Sequence, residues 1–135
     1  MIEKQIQAFN VKAMAQSEAK IKKAFMGLST DIIMDTPVLS GRLRNNWFPS
    51  VNEGTDKTTN YTGEKGVAAT NRVSAIKFKL GDTLYLTNNL PYAKVVEFGE
   101  YPSPSKTGKT VGGFSAKSPK GMVRVNILKW SKYFV

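Results

Sequence analysis

The side chains of this sequence that could carry chemistry are carboxylates, because the chain contains neither cysteine nor histidine. Their absence excludes a thiol nucleophile, a Ser-His-Asp triad and a typical structural zinc site. Acid–base catalysis or magnesium binding would need paired acids, and the candidates are Asp31 with Asp35, Glu53 with Asp56, and Glu97 with Glu100. The ten acids are scattered and form no recognisable catalytic set. We therefore expect no enzymatic activity, no metal and no cofactor.

Three of these acids lie where a helix end disfavours negative charge. Asp31 and Asp35 are one turn apart near the end of a predicted helix, so we expect salt bridges from them to Arg42 or Arg44. Glu97, at the end of another predicted helix, needs a cation for the same reason, and Arg42 or Arg44 could supply it within the subunit or across an interface. The alternative for Glu97 is that it is simply solvated. The alternative for Asp31 and Asp35 is that they bind a metal ion in an enzyme.

The charge balance is strongly basic, with 20 basic and 10 acidic residues and a net charge of +10. Residues 101–135 contain no acid and seven cations, which are Lys106, Lys109, Lys117, Lys120, Arg124, Lys129 and Lys132. Such a field favours a polyanion: nucleic acid, an anionic membrane or an acidic protein face. Solubility or an oligomer interface is the plainer alternative. Because the chain begins without a signal-peptide pattern and has no stretch of ~20 apolar residues, we expect it to be soluble and intracellular when made.

The first element of the chain reads as one helix over residues 2–35. An apolar stripe at helical spacing runs through both halves, at Ile2, Ile6, Phe9, Ala13, Ile21, Phe25, Leu28 and Ile32. At ~1.5 Å per residue this helix is about 50 Å long, whereas a compact domain of this size is about 30 Å across. The helix therefore bends near Gly27 or projects and needs a partner, unless it breaks near residues 14–20.

The remaining elements are shorter. Pro37 ends the first helix, and Ser40 caps a second helix over 41–47. Residues 48–72 are polar and read as a loop or a mobile hairpin tip. The alternation of 76–80 predicts a strand, the Gly81-Asp82 turn a hairpin, and Leu84 and Leu86 the return strand.

A third helix begins at Pro91 and ends at Gly99. Residues 101–120 form a mobile basic loop, and the tail is a strand through Val123, Val125 and Ile127 that leads into a helical end. The predicted fold is α+β, in one domain spanning 1–135: a long N-terminal helix packed on a small antiparallel β-sheet, with short second and third helices and a long basic loop.

Two stretches in fixed order, TPVLSGRLRNNW (36–47) and LPYAKVVEFGEYP (90–102), resemble the tail-completion or head-to-tail joining proteins of long-tailed bacteriophages. The first matches the family's "TG-LR-S"-like element at residues 41–44. The second matches its "YA-YVEFGT"-like element at Tyr92, Ala93 and 96–99. Ser40 and Glu100 stand where the family often has threonine, and 121–124 replaces a "Pro-Phe-Leu"-like segment. The subfamily stays open between joining protein, tail terminator and minor tail component.

The resemblance implies a structural virion protein of the neck or tail, made in the host cytoplasm and assembled as a homo-oligomeric ring, by expectation a hexamer, around the DNA path. Its partners would be other neck or tail proteins, such as a connector, terminator or tail tube, with nonspecific proximity to genomic DNA and no membrane. The expected packing or interface residues are Arg42, Arg44, Trp47, Tyr92, Glu97 and Phe98. A basic surface facing DNA or a partner would comprise Lys106, Lys109, Lys117, Lys120 and Arg124. The alternative is a small basic protein that binds nucleic acid nonspecifically through phosphates.

Overall fold

A computed structural model gives the fold of residues 2–38, 40–63, 65–101, 110–115 and 117–129, with side chains from Ser17 onwards. The expected α+β class is confirmed, since a long N-terminal helix accompanies a small antiparallel sheet and shorter helices. The elements, in chain order, are α1 (Ile2–Asp35), α2 (Arg42–Asn45), β1 (Trp47–Val51), α3 (Val67–Ser74), β2 (Leu84–Asn88), α4 (Pro91–Phe98), β3 (Thr110–Val111), β4 (Phe114–Ser115) and α5 (Arg124–Ile127).

The helix α1 runs without a break through 34 residues, which corresponds to about 51 Å. The predicted helix over 2–35 is therefore confirmed, and the alternative, a break near residues 14–20, is wrong. The C-terminal part of α1 supplies Ile32 and Ile33 to the core, while Phe25 and Leu28 pack against that core from the same helix. The predicted stripe thus faces the body of the protein in the described half of α1.

The strand β1 begins where the sequence predicted the end of a helix. Helix α2 stops at Asn45, and Trp47 already pairs with Asn88 of β2 in an antiparallel register that ends at Val51 opposite Leu84. The second helix is therefore confirmed in a shorter form, but the polar loop predicted over 48–72 is wrong at both its ends, which belong to β1 and α3. Pro49, midway along β1, conceals this strand from sequence reasoning because proline is confined to edge positions.

The predicted hairpin around Gly81-Asp82 is wrong. Residues 76–80 form no strand, and β2 pairs instead with β1, far back in the chain. Asp82 accounts for the difference, because its carboxylate accepts the Lys79 N–H at 2.8 Å and its own N–H bonds the Lys79 carbonyl at 3.1 Å, which closes a tight turn. The alternation of burial survives, with Ile76 buried and Lys77 exposed.

The core lies around the C-terminal end of α1. Its buried apolar residues come from five separate segments, and they are Ile32, Ile33, Trp47, Ala69, Val73, Val96 and Met122. Helix α3 contributes Ala69 and Val73, one turn apart on the face that packs on α1 and β1. The sequence did not predict α3, because threonine, asparagine and valine are weak helix formers.

Residues 110–115, within the predicted loop over 101–120, form two short strands. The strands β3 and β4 pair as a small hairpin, and the N–H of Tyr101 bonds the Gly113 carbonyl at 2.9 Å. Beyond it, the predicted strand through Val123 and Ile127 is wrong, because residues 124–127 form α5. The predicted helical end after Lys129 and the loop residues 102–109 lie outside the described residues.

Candidate functional site

Arg44, from the first sequence motif, caps the C-terminal end of α1. The last turn of α1 contains no basic residue, yet its carbonyls lack helical partners and carry negative potential. Arg44 supplies the missing cation. Its Nε and Nη2 donate to the Thr36 carbonyl at 3.2 and 2.9 Å, and Nη2 also donates to the Met34 carbonyl at 3.0 Å. A Cβ on Gly66 would lie 2.9 Å from the Arg44 Cδ, so this glycine lets α3 begin against the arginine stem.

Thr36, the first residue beyond α1, is fully buried and joins three segments. Its hydroxyl donates to the Ile32 carbonyl at 2.7 Å and accepts the Trp47 indole N–H at 2.9 Å. The Met122 sulfur lies 3.3 Å from the same oxygen. Because one hydroxyl satisfies the indole and the helix end together, the start of β1 has a single position relative to α1.

Two adjacent asparagines and Arg42 hold the extended segment 59–63 against the first motif. Asn46 forms two bonds with the backbone of Thr59, donating to its carbonyl and accepting its N–H, each at 2.9 Å. Arg42 Nε donates to the same carbonyl at 3.2 Å, and Asn45 Nδ2 donates to the Gly63 carbonyl. Arg42 therefore serves this segment and not Glu97.

The second motif presents Glu97, which the C-terminal segment surrounds. Its Oε1 accepts the N–H groups of Met122 and Val123, each at 2.8 Å. Its Oε2 accepts the N–H and the Nε of Arg124, each at 2.9 Å, and Arg124 Nη2 donates to the Glu97 carbonyl at 2.7 Å. A Cβ on Gly121 would lie 2.6 Å from Oε1, so glycine permits this close approach. We call this arrangement the Glu97 clasp.

The Glu97 clasp explains the protonation state of the carboxyl. Burial on its own would raise the pKa of Glu97, which is only 6% exposed. The hydrogen bonds from the Val123, Met122 and Arg124 N–H groups and from the Arg124 side chain outweigh burial and hold the pKa below its usual range. The expectation that Glu97 needs a cation is thus confirmed, but the predicted pairing with Arg42 or Arg44 is wrong within the subunit, because Arg124 fills that role.

Asp35 also differs from its predicted partner. Its Oδ2 accepts the Asn126 Nδ2 at 2.8 Å, and its backbone carbonyl accepts the Ser118 hydroxyl. The expected salt bridge from Asp35 to Arg42 or Arg44 is therefore wrong, because Asn126 binds this carboxylate instead. Met122 and Asn126 are both buried beside the end of α1, so the C-terminal segment is anchored to α1 as well as to α4.

Two aromatic side chains of the second motif are exposed and do not pack in the core. Tyr92 is 61% exposed and Phe98 is 53% exposed, and both lie on α4. The Arg124 guanidinium stacks over the Phe98 ring with its carbon 4.7 Å from the ring centre. Lys117 and Lys120 are exposed on the segment that forms the Glu97 clasp, together with Lys129. Lys106 and Lys109 lie outside the described residues.

The structure thus places Arg44 and Trp47 at the end of α1, joins Glu97 of α4 to the C-terminal segment, and leaves Tyr92 and Phe98 exposed. Sequence reasoning missed Arg72, whose Nη1 donates to the carbonyls of Asn45 and Trp47 at 2.8 Å each. Its guanidinium carbon lies 3.9 Å from the centre of the Phe48 ring, and burial lowers its pKa. No local pattern marks Arg72, because α3 itself has no clear periodicity.

Among the described residues, no group of three or more acids is placed to hold a metal ion. No helix within them combines the length and apolar character needed to cross a membrane. Comparison of the chain with protein-family models, with curated proteins and with solved structures finds no match. The functional argument therefore depends on the geometry and chemistry of this chain.

Proposed function

We propose that this chain is a structural component of a bacteriophage neck or tail, a tail-completion or head-to-tail joining protein that assembles as a ring around the DNA path. The observation that carries the proposal is that some residues of the two motifs make contacts within the chain while others are exposed on its surface. Arg44, Trp47 and Glu97 form hydrogen bonds within the chain that stabilise the fold. Tyr92 and Phe98, from the second motif, stay exposed and can contact a partner, although Arg124 stacks on one face of the Phe98 ring.

The chemistry of these residues favours assembly over catalysis. Every hydrogen bond of the Glu97 carboxylate goes to the chain's own C-terminal segment, so this acid has a structural task. Large aromatics are enriched at protein interfaces and expensive to leave in water. Two exposed aromatics on one short helix therefore support a contact with another protein.

The helix α1 supports an assembly in a second way. Its length of about 51 Å exceeds the width of a compact domain of this size. The sequence of its N-terminal half repeats apolar residues at helical spacing, at Ile2, Ile6 and Phe9. A helix of this kind is suited to contact neighbouring subunits. A head-to-tail interface that closes on itself would produce the proposed ring.

The experiment combines analytical ultracentrifugation with electron microscopy of the purified chain. We expect a closed oligomer at high protein concentration. The double variant Tyr92→Ser, Phe98→Ser should remain folded but shift to monomer. Tyr61→Ser is the matched control, since Tyr61 is similarly exposed at 55% but lies on the extended segment before α3. A wild-type monomer at all concentrations, together with absence of the chain from purified virions, would contradict the proposal.

A second candidate function is nonspecific binding of nucleic acid. It is favoured by the exposed cations Lys117, Lys120 and Lys129 in a region of the sequence without acids. This alternative predicts that the free chain binds duplex DNA, and that log K falls against log salt with a slope of roughly −0.9 per phosphate contacted. A salt-titrated gel shift separates the two functions, because a neck component that meets DNA only inside the assembled particle gives weak binding as a free monomer.

A further inference from the structure

The C-terminal segment 117–129, which we call the strap, is attached to the body mainly by polar contacts. Met122 is its fully buried apolar side chain, at 1% exposure. Val123 and Val125 are half-buried. Ile127 and Leu128 are 46% and 83% exposed. A segment that buries so little apolar surface gains little hydrophobic stabilisation.

The polar attachments are concentrated at two points. The first is the Glu97 clasp, with four hydrogen bonds to the carboxylate and one to the Glu97 carbonyl. The second is the end of α1, where Asp35 binds Asn126 and Ser118. Four of the five bonds of the clasp fall on one ionised group, so the loss of that single charge weakens them together.

We propose that the strap is a local opening unit, which detaches while α1, α3 and the β1–β2 sheet stay folded, and that the ionised Glu97 carboxylate sets the equilibrium between its docked and detached states. Proteins open in cooperative segments, and the segments with few buried apolar contacts open first. The strap meets that description, whereas the body retains six of the seven residues of the core cluster. The inference concerns contacts within one chain and does not depend on the proposed function.

The charges around Glu97 are consistent with this role. Arg124 is the cation that faces the carboxylate from the strap. Lys94, on α4, is engaged with Glu100 at 3.5 Å, and Asp35, on α1, is bound by Asn126. The β3–β4 hairpin beside α4 has no charged residue between Thr110 and Ser115. Acid therefore releases the strap by protonating Glu97 itself, which removes the negative charge and turns one of the two accepting oxygens into a hydroxyl donor.

Native-state hydrogen exchange tests the proposal. In the wild-type chain at neutral pH and low urea, we expect the amides of Met122, Val123 and Arg124 to exchange through a smaller opening than those of α1 residues 24–33. In Glu97→Gln an amide nitrogen replaces one acceptor oxygen, which destabilises the docked state relative to both the detached and the unfolded states. Exchange of the three strap amides should therefore rise at least tenfold, α1 amides that exchange by global unfolding should rise by a similar factor, and the strap should remain the faster of the two. Glu100→Gln is the matched control, since Glu100 is an exposed acid on the same turn, and it should leave the strap as in the wild type.

Arg124→Lys provides a second variant if Glu97→Gln fails to fold. It keeps the positive charge and the backbone N–H bonds but removes the Nε and Nη2 donors and the stack on Phe98, so it should accelerate exchange of the strap and α1 amides in the same way as Glu97→Gln but to a smaller extent. Equal rates for strap and body in the wild-type chain would overturn the local opening. No acceleration of the strap amides in these variants, or acceleration of α1 without the strap, would overturn the role of Glu97.

Discussion

The indole nitrogen of Trp47 donates a hydrogen bond of 2.9 Å to the hydroxyl of Thr36, so the first residue of β1 is fixed to the first residue beyond α1. Both side chains are buried, at 5% and 0% exposure. Replacing Thr36 by valine keeps the volume but leaves the indole N–H without its acceptor. A buried unsatisfied donor costs about 1–3 kcal/mol, so we expect Thr36→Val to lower the free energy of unfolding by that amount in urea titrations.

Thr30→Val is the matched control for this substitution, because Thr30 is exposed on α1, and its effect should stay within about 0.5 kcal/mol. Combining Thr36→Val with Trp47→Phe completes a double-mutant cycle. Because each single change breaks the same bond, the double variant should lose less than the sum of the two. Strict additivity would show that the bond contributes nothing to stability.

The two arginines of the first motif should differ in their contribution to stability. Arg44→Ala removes three donor contacts to the carbonyls at the end of α1, and we expect a loss of about 1–3 kcal/mol in chemical unfolding. Arg42 is exposed and makes one side-chain contact, to the Thr59 carbonyl, so Arg42→Ala should cost no more than about 0.5 kcal/mol. Equal losses for the two variants would refute the capping role of Arg44.

Stability should fall in acid through Glu97. The pKa of this carboxyl is lower in the folded chain than in the unfolded chain. The ionised group therefore stabilises the fold above the unfolded pKa of about 4.3, and this contribution disappears as the pH falls through the lowered folded value. We expect the urea midpoint of the wild type to drop over that range, and the difference between wild type and Glu97→Gln to shrink with it.

Asp82 contributes in the same direction, because hydrogen bonds from the Lys79 N–H and from Asn52 lower its pKa. Asp82→Asn separates the two acids. If Glu97 is responsible for most of the acid sensitivity, Asp82→Asn retains a steep pH dependence whereas Glu97→Gln does not. The reverse order would assign the effect to the turn before β2.

Two glycines with the same backbone conformation isolate the steric demand of the Glu97 clasp. Gly81 and Gly121 have φ angles of +92° and +82°, so alanine is strained at either, by about 1–2 kcal/mol. A Cβ at Gly81 would meet no atom within 4 Å, whereas one at Gly121 would lie 2.6 Å from Glu97 Oε1. Gly121→Ala should therefore destabilise the chain more than Gly81→Ala in thermal unfolding, and equal shifts would contradict the close approach.

The elements that could be predicted from sequence are those whose determinants are local. Helix α1 has an apolar stripe over many turns, and α4 is bounded by Pro91 and Gly99, which has the left-handed conformation expected of a helix C-cap. The strand β1 and its pairing could not be predicted, because its partner β2 begins more than 30 residues later. Pairing over that separation depends on the whole core and not on the residues of either strand.

The sequence predicted that cations lie near the two helix ends, but it did not predict which arginine binds which group. The macrodipole argument correctly required cations near the ends of α1 and α4, and the structure supplies them from Arg44 and Arg124. The sequence assigned Glu97 to the wrong arginine because the correct one lies in a tail whose valines favoured a strand. Three successive N–H groups of that tail point towards the carboxylate. The residue types at these positions do not indicate such a backbone conformation.

Pro49 has a consequence for how this chain meets other chains. Asn52 donates its N–H to the Thr83 carbonyl, and successive residues of an antiparallel strand alternate in direction, so the nitrogen of Pro49 and the carbonyl of Trp47 point away from β2. The first carries no hydrogen and the second is occupied by Arg72. A strand of another chain that approaches this edge of β1 meets no N–H donor at the middle of the strand and no available carbonyl at its start. Edge-to-edge pairing of β1 with other chains, and the aggregation that follows from such pairing, is therefore disfavoured.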